Sequence, residues 1–549
     1  MQKIAITCCL LLITVFSFGQ QSWEKQVDSM LNKTFPAKGS GATAIIAQKG
    51  QILYHKAFGM ADLENKIPMR TEMVFRIGSI SKQFTAVAIL KLMEEGKLSL
   101  QDEITKYIPD YPTQGNKVTI EHLLTHTSGI VSYTNMAKFG SELMARDMKP
   151  TELIDVFKNE KFEFAPGEKW NYNNSGYFLL GYIIEKITGM TYADYIEKNI
   201  FKPLGMKSSL YGSNSKLIPN RAQGYEPGPT GIQNATYLSM TLPYAAGSLM
   251  STVNDCYIWN KAINEGKIIK KETLERAFTP YILNSGKKVN YGYGWSIGEV
   301  NGQKVVQHSG GINGFLTNGI YVPSQDLYIA VFSNSNAIQP IEVSQRMTYE
   351  VLGLNKPKTV IKIDSLKAKE YLGVYETEEG DLRQISWVKG KLQSQRLGST
   401  VFEIFAYDKD KFFFQNSPTE LSFVRDAKGA IIGLTTKNLT DAPTMWKPTK
   451  KPFEAARKEI KIDEAILKTY EGEYEISSNL ILKISVDKGQ LKVSPTGQPT
   501  FDLFPESETK FFLKVVNAQI QFFKNDKGEV NRLVLYQGGQ EMEGKRISK

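Results

Sequence analysis

The last third of the chain carries one pattern of residues twice, and this repeat constrains the fold more than any other feature of the sequence. Residues 371–375 read Tyr-Leu-Gly-Val-Tyr, and residues 470–474 read Tyr-Glu-Gly-Glu-Tyr. Lys411-Phe412-Phe413 recurs in the same way as Lys510-Phe511-Phe512. Both matches are offset by 99 positions, so the two copies align without a gap. A repeat of this kind indicates two copies of one structural unit.

Within each copy, short aromatic-rich segments with alternating polarity are separated by Lys-Gly turns. This alternation is typical of β-strands, and each copy is long enough for about eight of them. A closed antiparallel barrel is the simplest arrangement that leaves no exposed sheet edge. We therefore expect one small antiparallel β-barrel over residues 356–450 and a second over residues 451–549, with the repeated aromatic residues in their cores.

The preceding region, residues 21–355, has strand character at both ends and helical character between them. Five segments read as strands, and they are residues 42–48, 51–58, 304–308, 316–322 and 327–333. This order predicts an α+β fold in which the first and last strands meet in one antiparallel sheet flanked by helices. A length of 549 residues agrees with three domains in total.

The first twenty residues have the features of an export signal. Lys3 precedes an apolar stretch over residues 4–18, which is followed by Gly19. The stretch is too short to be a convincing transmembrane helix. We therefore expect residues 1–20 to be a signal peptide, the mature chain to have no transmembrane segment, and the protein to be extracytoplasmic, either periplasmic or secreted.

Charge and cysteine content narrow the choice of partners and chemistry. The net charge of +10 is spread along the chain without a dense basic block, which argues against nucleic-acid binding and leaves contact with anionic cell-wall polymers open. Cys8 and Cys9 would leave with the signal, so the mature chain would form no internal disulfide. Cys256 lies in apolar, helical surroundings and is expected in the core rather than as a nucleophile or metal ligand.

Ser79 and Lys82 open a run in which apolar residues recur at helical spacing. In the first turn of a helix their side chains would share one face, near the positive end of the helix dipole. A serine hydroxyl needs a base to become a nucleophile, and a lysine that has lost its proton can be that base. Ser-x-x-Lys recurs elsewhere in polar or strand-like surroundings, so the spacing alone is a weak signal.

Two further motifs carry polar groups suited to the same chemistry. Tyr172 and Asn174 lie two residues apart in a polar turn before an apolar helix; the tyrosine could relay a proton, and the asparagine amide could bind lysine and substrate. A second Tyr-x-Asn at residues 133–135 makes this motif weak by itself. His308 ends a strand before Gly310 and Gly311, where a backbone amide could help form an oxyanion hole and the histidine could bind a substrate carboxylate or assist the leaving group.

Together, Ser79-x-x-Lys82, Tyr172-x-Asn174 and His308-x-Gly310 resemble the three motifs of the serine β-lactamase and penicillin-binding-protein superfamily. Residues 123–129 and 203–206, which read Leu-Leu-Thr-His-Thr-Ser-Gly and Pro-Leu-Gly-Met, resemble stretches typical of its class C-like branch. The resemblance covers about residues 40–335.

This resemblance implies that Ser79 is acylated, that Lys82 and Tyr172 share the acid and base roles, and that Ser79 and Gly311 supply oxyanion amides. It implies neither a metal nor an organic cofactor. Members acting as β-lactamases or transpeptidases usually have Lys-Thr-Gly where this chain has His-Ser-Gly at residues 308–310. The histidine version is similar to that of D-aminopeptidases and related esterases, and those D-aminopeptidases also carry two lipocalin-like barrels after the catalytic domain.

We therefore expect an exported serine hydrolase that cleaves a small amide or ester through an acyl-enzyme, with D-amino-acid peptides as a candidate substrate class. An esterase or a weak β-lactamase is the alternative within the same class of proteins. A catalytically silent module that binds cell wall or protein is the alternative of another class. The sequence leaves the oligomeric state open.

Overall fold

The protein is described here by a computed structural model. It describes residues 23–549 except for residues 137–138, 229–230, 356–357, 379, 400, 415–418, 452, 454–458, 478–479, 488, 497–499, 515–517, 538–539 and 549. The expected signal peptide therefore lies outside the described residues.

A six-stranded antiparallel sheet forms the frame of the first 355 residues. Its strands run in the order β12-β13-β14-β15-β1-β2. They are β1 (Ala42–Gln48), β2 (Gln51–Phe58), β12 (Ser296–Val300), β13 (Gln303–Ile312), β14 (Phe315–Val322) and β15 (Leu327–Ser333). The first strand pairs with the last, Ala42 opposite Ser333, as the sequence predicts.

Both faces of this sheet are covered, because alternate residues of its central strands enter different cores. Ile45 packs in the core that contains helix α2 (Ser81–Glu94), whereas Ile46 packs in the core that contains residues of α1 (23–34) and α12 (Pro340–Val351). The helices are α1 (23–34), α2 (Ser81–Glu94), α3 (Ile120–Leu124), α4 (Ser141–Met144), α5 (Pro150–Phe157), α6 (Asn174–Thr188), α7 (Tyr192–Ile196), α8 (Lys202–Leu204), α9 (Tyr244–Gly247), α10 (Val253–Asn264), α11 (Lys271–Ala277), α12 (Pro340–Val351), α13 (Ser365–Lys369) and α14 (Glu464–Thr469).

Helix α2 is the central helix of this region. Its residues from Ser81 to Leu90 are all buried, so the helix carries its first turn, with Lys82, into the interior. The short strand β5 (Phe75–Arg76) leads into it and pairs with β9 (Leu249–Ser251). The remaining short strands are β3 (Met60–Asp62), β4 (Ile67–Pro68), β6 (Leu210–Tyr211), β7 (Tyr225–Gly228), β8 (Gly231–Asn234), β10 (Tyr281–Ile282) and β11 (Lys288–Val289).

The C-terminal region contains two closed eight-stranded antiparallel barrels. The first consists of β16 (Gly373–Glu376), β17 (Leu382–Val388), β18 (Lys391–Arg396), β19 (Phe402–Asp408), β20 (Lys411–Phe414), β21 (Thr419–Arg425), β22 (Ile431–Asn438) and β23 (Thr444–Thr449). The second consists of β24 (Gly472–Ser477), β25 (Leu480–Asp487), β26 (Gln490–Pro495), β27 (Phe501–Pro505), β28 (Lys510–Phe512), β29 (Ala518–Lys524), β30 (Val530–Gln537) and β31 (Gln540–Ser548). The predicted α+β domain followed by two barrels is thus confirmed.

The repeated tyrosines have the same structural role in both barrels. The Tyr375 hydroxyl donates to the Tyr371 carbonyl at 3.0 Å, and the Tyr474 hydroxyl donates to the Tyr470 carbonyl at 2.9 Å. All four residues belong to the barrel cores.

The chain divides into two compact units, residues 1–226 with 232–356, and residues 227–231 with 357–549. Both barrels belong to the second unit. The predicted domain boundaries at residues 20, 355 and 450 stay predictions. Within the described part of the chain, no helix is both long and apolar enough to cross a membrane.

Candidate active site

Ser79 lies in a single 3₁₀ turn, Gly78–Ile80, that leads directly into α2. Side chains of a helix lean towards its N-terminus, so the side chain of Lys82, in the first turn of α2, is directed back to Ser79. The Lys82 Nζ is 3.0 Å from the Ser79 Oγ. The predicted pairing therefore occurs, although the α-helix begins at Ser81 and not at the serine itself.

The backbone on either side of Ser79 is packed tightly against the strand that carries the predicted His-x-Gly motif. Gly78 has a φ of +52°, and a Cβ there would lie 2.9 Å from the Gly311 nitrogen. A side chain at residue 310 would meet the carbonyl of Ile77, to which Thr317 Oγ1 donates at 2.9 Å. Both glycines are needed because the two backbones are in contact.

Lys82 is fully buried and is held by groups from three parts of the chain. Besides Ser79, its Nζ lies 2.8 Å from Asn174 Oδ1 on α6 and 2.8 Å from the carbonyl oxygen of Ala246 on α9. Thr85, one turn along α2, donates to the neighbouring Ala245 carbonyl at 2.7 Å and so keeps α9 beside the lysine.

The surroundings of Lys82 favour the uncharged amine. Burial holds the pKa of its amine well below the ordinary value of 10.5. Among the residues that the structure describes, no carboxylate contacts its Nζ, so the ammonium ion would be buried without a counter-charge. A neutral amine has two N–H groups and one lone pair. The Asn174 and Ala246 oxygens can only accept, which leaves the lone pair for the hydroxyl proton of Ser79.

Tyr172 lies beside the lysine, with its ring centroid 4.9 Å from Lys82 Nζ. Burial raises the pKa of Tyr172, while the proximity of Ser79 lowers it, and the net shift is upward. The buried phenol therefore keeps its proton at neutral pH. Its hydroxyl makes no hydrogen bond to any group in the described part of the chain and is free to donate to a substrate.

His126 fixes the backbone on both sides of Tyr172. The Asn171 amide donates to the His126 carbonyl at 3.0 Å, and the Asn173 amide donates to His126 Nδ1 at 3.1 Å. The ring centroids of His126 and Tyr172 lie 4.4 Å apart. Burial is the main cause that keeps the pKa of His126 well below 6.5, so the ring stays neutral and Nδ1 remains an acceptor.

The amide of Asn174 is oriented by its own partners. Its Nδ2 donates to Thr134 Oγ1 at 3.0 Å, so its Oδ1 must face Lys82. Its backbone nitrogen donates to Ser132 Oγ at 3.1 Å. Asn173 is the N-cap of α6 and accepts from the Gly176 amide at 2.8 Å, which fixes where this helix begins.

His308 is buried beside Tyr172, with 6.2 Å between the two ring centroids, and both of its ring nitrogens make hydrogen bonds. Its Nδ1 is 2.6 Å from the Ser309 carbonyl and must donate to it, so Nε2 is left to accept from the Tyr291 hydroxyl at 2.8 Å. Burial is the main cause that lowers the pKa of His308 to about 3, and the neighbouring Lys82 amine, whenever it is protonated, lowers it further. The His308 ring is therefore neutral, and both of its nitrogens already make hydrogen bonds. Its expected contact with a substrate carboxylate stays a prediction, and that contact would require Tyr291 to move.

The lowered pKa of His308 gives a testable pH dependence. The unfolded chain binds a proton at this histidine below pH 6.5 and the folded protein does not until about pH 3. The stabilising contribution is therefore complete above pH 6.5 and is lost as the pH falls, by up to about 1.4 kcal/mol per pH unit. Replacing His308→Gln should flatten the pH dependence of thermal unfolding between pH 6.5 and 4, measured by scanning calorimetry. Parallel profiles for the variant and the wild type would contradict this.

Several residues of the site carry no motif that could have revealed them. Ala246 contributes only a carbonyl, and Tyr291 belongs to no recognisable pattern. The competing motif at residues 133–135 is structural, because the buried Tyr133 hydroxyl donates to the Leu242 carbonyl at 2.8 Å. Cys256 is buried, and burial raises the pKa of its thiol to about 12, as suits a core cysteine.

The assembled groups define a class of site: a serine hydroxyl, a buried amine that favours its neutral form and a protonated phenol, beside a helix packed against an antiparallel sheet. The family model described as Beta-lactamase matches residues 32–348, more than half of the chain. The chain therefore belongs to the Beta-lactamase family, and it has the fold of the serine hydrolases of the β-lactamase and penicillin-binding-protein superfamily.

Individual relatives agree with this assignment. Penicillin-binding protein 4* of Bacillus subtilis (strain 168) is 30% identical over 435 residues, which cover 74% of this chain and 94% of the relative. The octameric penicillin-binding protein homologue from Pyrococcus abyssi is 28% identical with a TM-score of 0.55, covering 77% of this chain and 99% of that one. A D-stereospecific amidohydrolase from Streptomyces sp. is 25% identical with a TM-score of 0.53, covering 60% and 98%.

The second barrel has a family match of its own. A domain of unknown function, DUF3471, matches residues 456–546. The class C-like branch and the lipocalin-like character of the barrels stay predictions.

Proposed function

We propose that this protein is an exported serine hydrolase that forms an acyl-enzyme on Ser79 and hydrolyses small amides or esters, with D-amino-acid amides and peptides as its substrate class. Export rests on the twenty N-terminal residues, which have signal-like character. The even basic charge supports a loose contact with anionic cell-wall polymers.

One observation carries the proposal: a fully buried lysine amine contacts the Ser79 hydroxyl, an amide oxygen and a carbonyl oxygen, without a carboxylate. This set of partners matches a neutral amine that can accept a proton from serine. A lysine with a purely structural role would be expected to pair with an acidic group.

The reaction follows from these positions. Lys82 Nζ takes the hydroxyl proton of Ser79 while Oγ bonds to the substrate carbonyl carbon, and the backbone amides of Ser79 and Gly311 stabilise the oxyanion. Tyr172 gives its phenolic proton to the leaving nitrogen or oxygen as that bond breaks, and the lysine ammonium returns a proton to the tyrosine. Water then attacks the acyl-enzyme by the reverse sequence, which releases the acid and restores Ser79.

Two features support D-amino-acid amides as substrates. His308 stands where members acting as β-lactamases or transpeptidases usually have lysine, which disfavours antibiotic hydrolysis as the main activity. The Streptomyces relative is by name a D-stereospecific amidohydrolase. The esterase and weak β-lactamase alternatives share the same acyl-enzyme and differ only in substrate range.

A substrate panel tests the proposal. We expect the full chain to hydrolyse D-alanine p-nitroanilide with a kcat/KM at least about tenfold above that for the L-enantiomer, which is the matched control, because a site that fixes the reacting carbonyl directs the side chains of the two enantiomers differently. We expect slower turnover of p-nitrophenyl acetate and nitrocefin. Higher kcat/KM for nitrocefin would favour a β-lactamase, and absence of turnover and of fluorophosphonate labelling would favour the binding module.

A further inference from the structure

A cavity of about 240 Å³ lies next to both segments that surround Ser79. On one side is Arg76 of β5, three residues before the serine, and on the other are Asn313 and Phe315, which flank the turn after Gly311. The rest of the lining includes Asn214, Arg221, Gln223, Thr236 and Tyr237. All of them belong to the first compact unit.

Two arginines face this cavity without an anion. Neither Arg76 nor Arg221 is paired with a carboxylate in the described part of the chain. Arg76 is half-buried, with its guanidinium carbon 5.9 Å from the centroid of Phe315. Burial and the charge of Arg221 lower the pKa of Arg76, while Tyr237 opposes the shift. Two like charges beside one cavity are an unfavourable arrangement that a bound anion would relieve.

The polar groups around the arginines are mostly bonded within the protein. The side-chain amide of Asn214 donates to the Leu238 carbonyl at 3.0 Å, and that of Asn313 donates to the Thr236 carbonyl at 2.9 Å. The Gln223 amide donates to the side-chain oxygen of Asn234 at 3.0 Å. The nearby carboxylates are also engaged, since Glu226 accepts from Thr236 and Glu64 accepts from Asn234. The donors left for a ligand are the two guanidiniums and the exposed Tyr237 hydroxyl.

The backbone holds the two arginines together independently of any ligand. Val74, two residues before Arg76, accepts from the Ala222 amide at 3.1 Å and donates to the Asn220 carbonyl at 2.8 Å. These two bonds bracket Arg221. The backbone beside the cavity is therefore fixed by the fold, with Arg76 half-buried and Arg221 exposed.

We propose that this cavity is a subsite for a carboxylate on the acyl part of the substrate, an inference that rests on the proposed function. Three residues span at most about 11 Å, so the cavity is within reach of a group attached to Ser79. The leaving group must lie beside the proton donor Tyr172, and no part of the Tyr172 turn or of α6 lines the cavity. The acyl part is the portion that can enter it, where paired guanidiniums bind carboxylates well.

A matched pair of substrates tests this subsite. N-succinyl-D-alanine p-nitroanilide carries a carboxylate, and its succinamoyl counterpart carries a neutral amide of nearly the same shape. We expect the wild type to favour the carboxylate at least about tenfold in kcat/KM. The ratio should fall towards one in Arg76→Gln and Arg221→Gln, and partly recover in Arg76→Lys. Arg346→Gln, which removes an exposed arginine of an ion pair with Glu342, should leave the ratio unchanged.

A binding measurement separates failure of the subsite from failure of the proposed function. Isothermal titration of the Ser79→Ala protein with N-succinyl-D-alanine amide and its succinamoyl counterpart should give at least about tenfold tighter binding of the carboxylate, lost when either arginine is also replaced. If neither p-nitroanilide is hydrolysed, the proposed function fails and this titration still decides the subsite. Equal affinities, or equal binding of inorganic phosphate and the carboxylate, would overturn the assignment to a substrate carboxylate.

Discussion

Ser79→Ala should abolish hydrolysis and covalent labelling while leaving the protein folded. Without the hydroxyl there is no nucleophile for Lys82 to activate, so we expect kcat to fall by at least about 10⁴-fold. The serine is half-buried, and its loss leaves Lys82 with both of its acceptor oxygens. The free energy of unfolding should therefore change by no more than about 1 kcal/mol. Labelling by a fluorescent fluorophosphonate, followed on a gel, gives the first readout, and thermal unfolding gives the second.

Ser213→Ala is the matched control for this experiment. Ser213 also stands three residues before a lysine, but its Oγ accepts from the backbone amides of Ser215 and Lys216 in an exposed turn. Its hydroxyl has no buried amine to remove its proton, so labelling and turnover should equal those of the wild type. Labelling that survives Ser79→Ala, or that is lost in Ser213→Ala, would place the nucleophile elsewhere.

Lys82→Met should slow acylation by about 10²–10⁴-fold, because the replacement is similar in shape but its thioether is not basic enough to accept the serine proton. The rate of fluorophosphonate labelling measures this step directly. Lys91→Met is the matched control, since Lys91 lies on the same helix in an ion pair with Glu95 at 2.9 Å. We expect the control to label at the wild-type rate, and equal rates for Lys82→Met would rule out the lysine as the base.

The same variant should also change how stability depends on pH. The lowered pKa of Lys82 means that the unfolded chain binds a proton which the folded protein does not, so wild-type stability rises with pH up to about 10.5, by up to about 1.4 kcal/mol per unit. Lys82→Met removes this dependence but leaves the oxygens of Asn174 and Ala246 without their donor. The wild type should therefore gain stability relative to the variant between pH 7 and 9, measured by denaturant unfolding. A constant difference would mean that the amine is charged in the folded protein.

Much of the fold could be predicted because its signals are local or repeated. The barrels follow from two copies of one strand pattern, and the sheet follows from strand-like segments at both ends of the first region. The start of α2 was less predictable: the spacing suggested a helix at Ser79, whereas the turn there is 3₁₀ and Gly78 has a positive φ. Tight contact with Gly311 imposes that conformation, and this contact joins residues more than two hundred positions apart.

The role expected for His308 shows that residue type alone does not indicate which groups a side chain will contact. A histidine before two glycines suggested a polar group directed at substrate, but its nitrogens are engaged by Ser309 and Tyr291. Tyr291 reaches it from a segment without any motif, so nothing in the sequence could have indicated the hydrogen bond. The pairing of Arg76 with Arg221 was unpredictable for the same reason.

By itself, the sequence determined the pairing of Ser79 with Lys82 and the presence of two barrels, because helical geometry acts over three residues and a repeat needs no partner to be recognised. Only the tertiary structure decided that the surroundings of the lysine favour its neutral form, since that depends on burial and on oxygens supplied by Asn174 and Ala246, which lie 92 and 164 positions further along the chain. The proton affinity of a side chain depends on the groups packed around it, and those groups come together only when the chain folds.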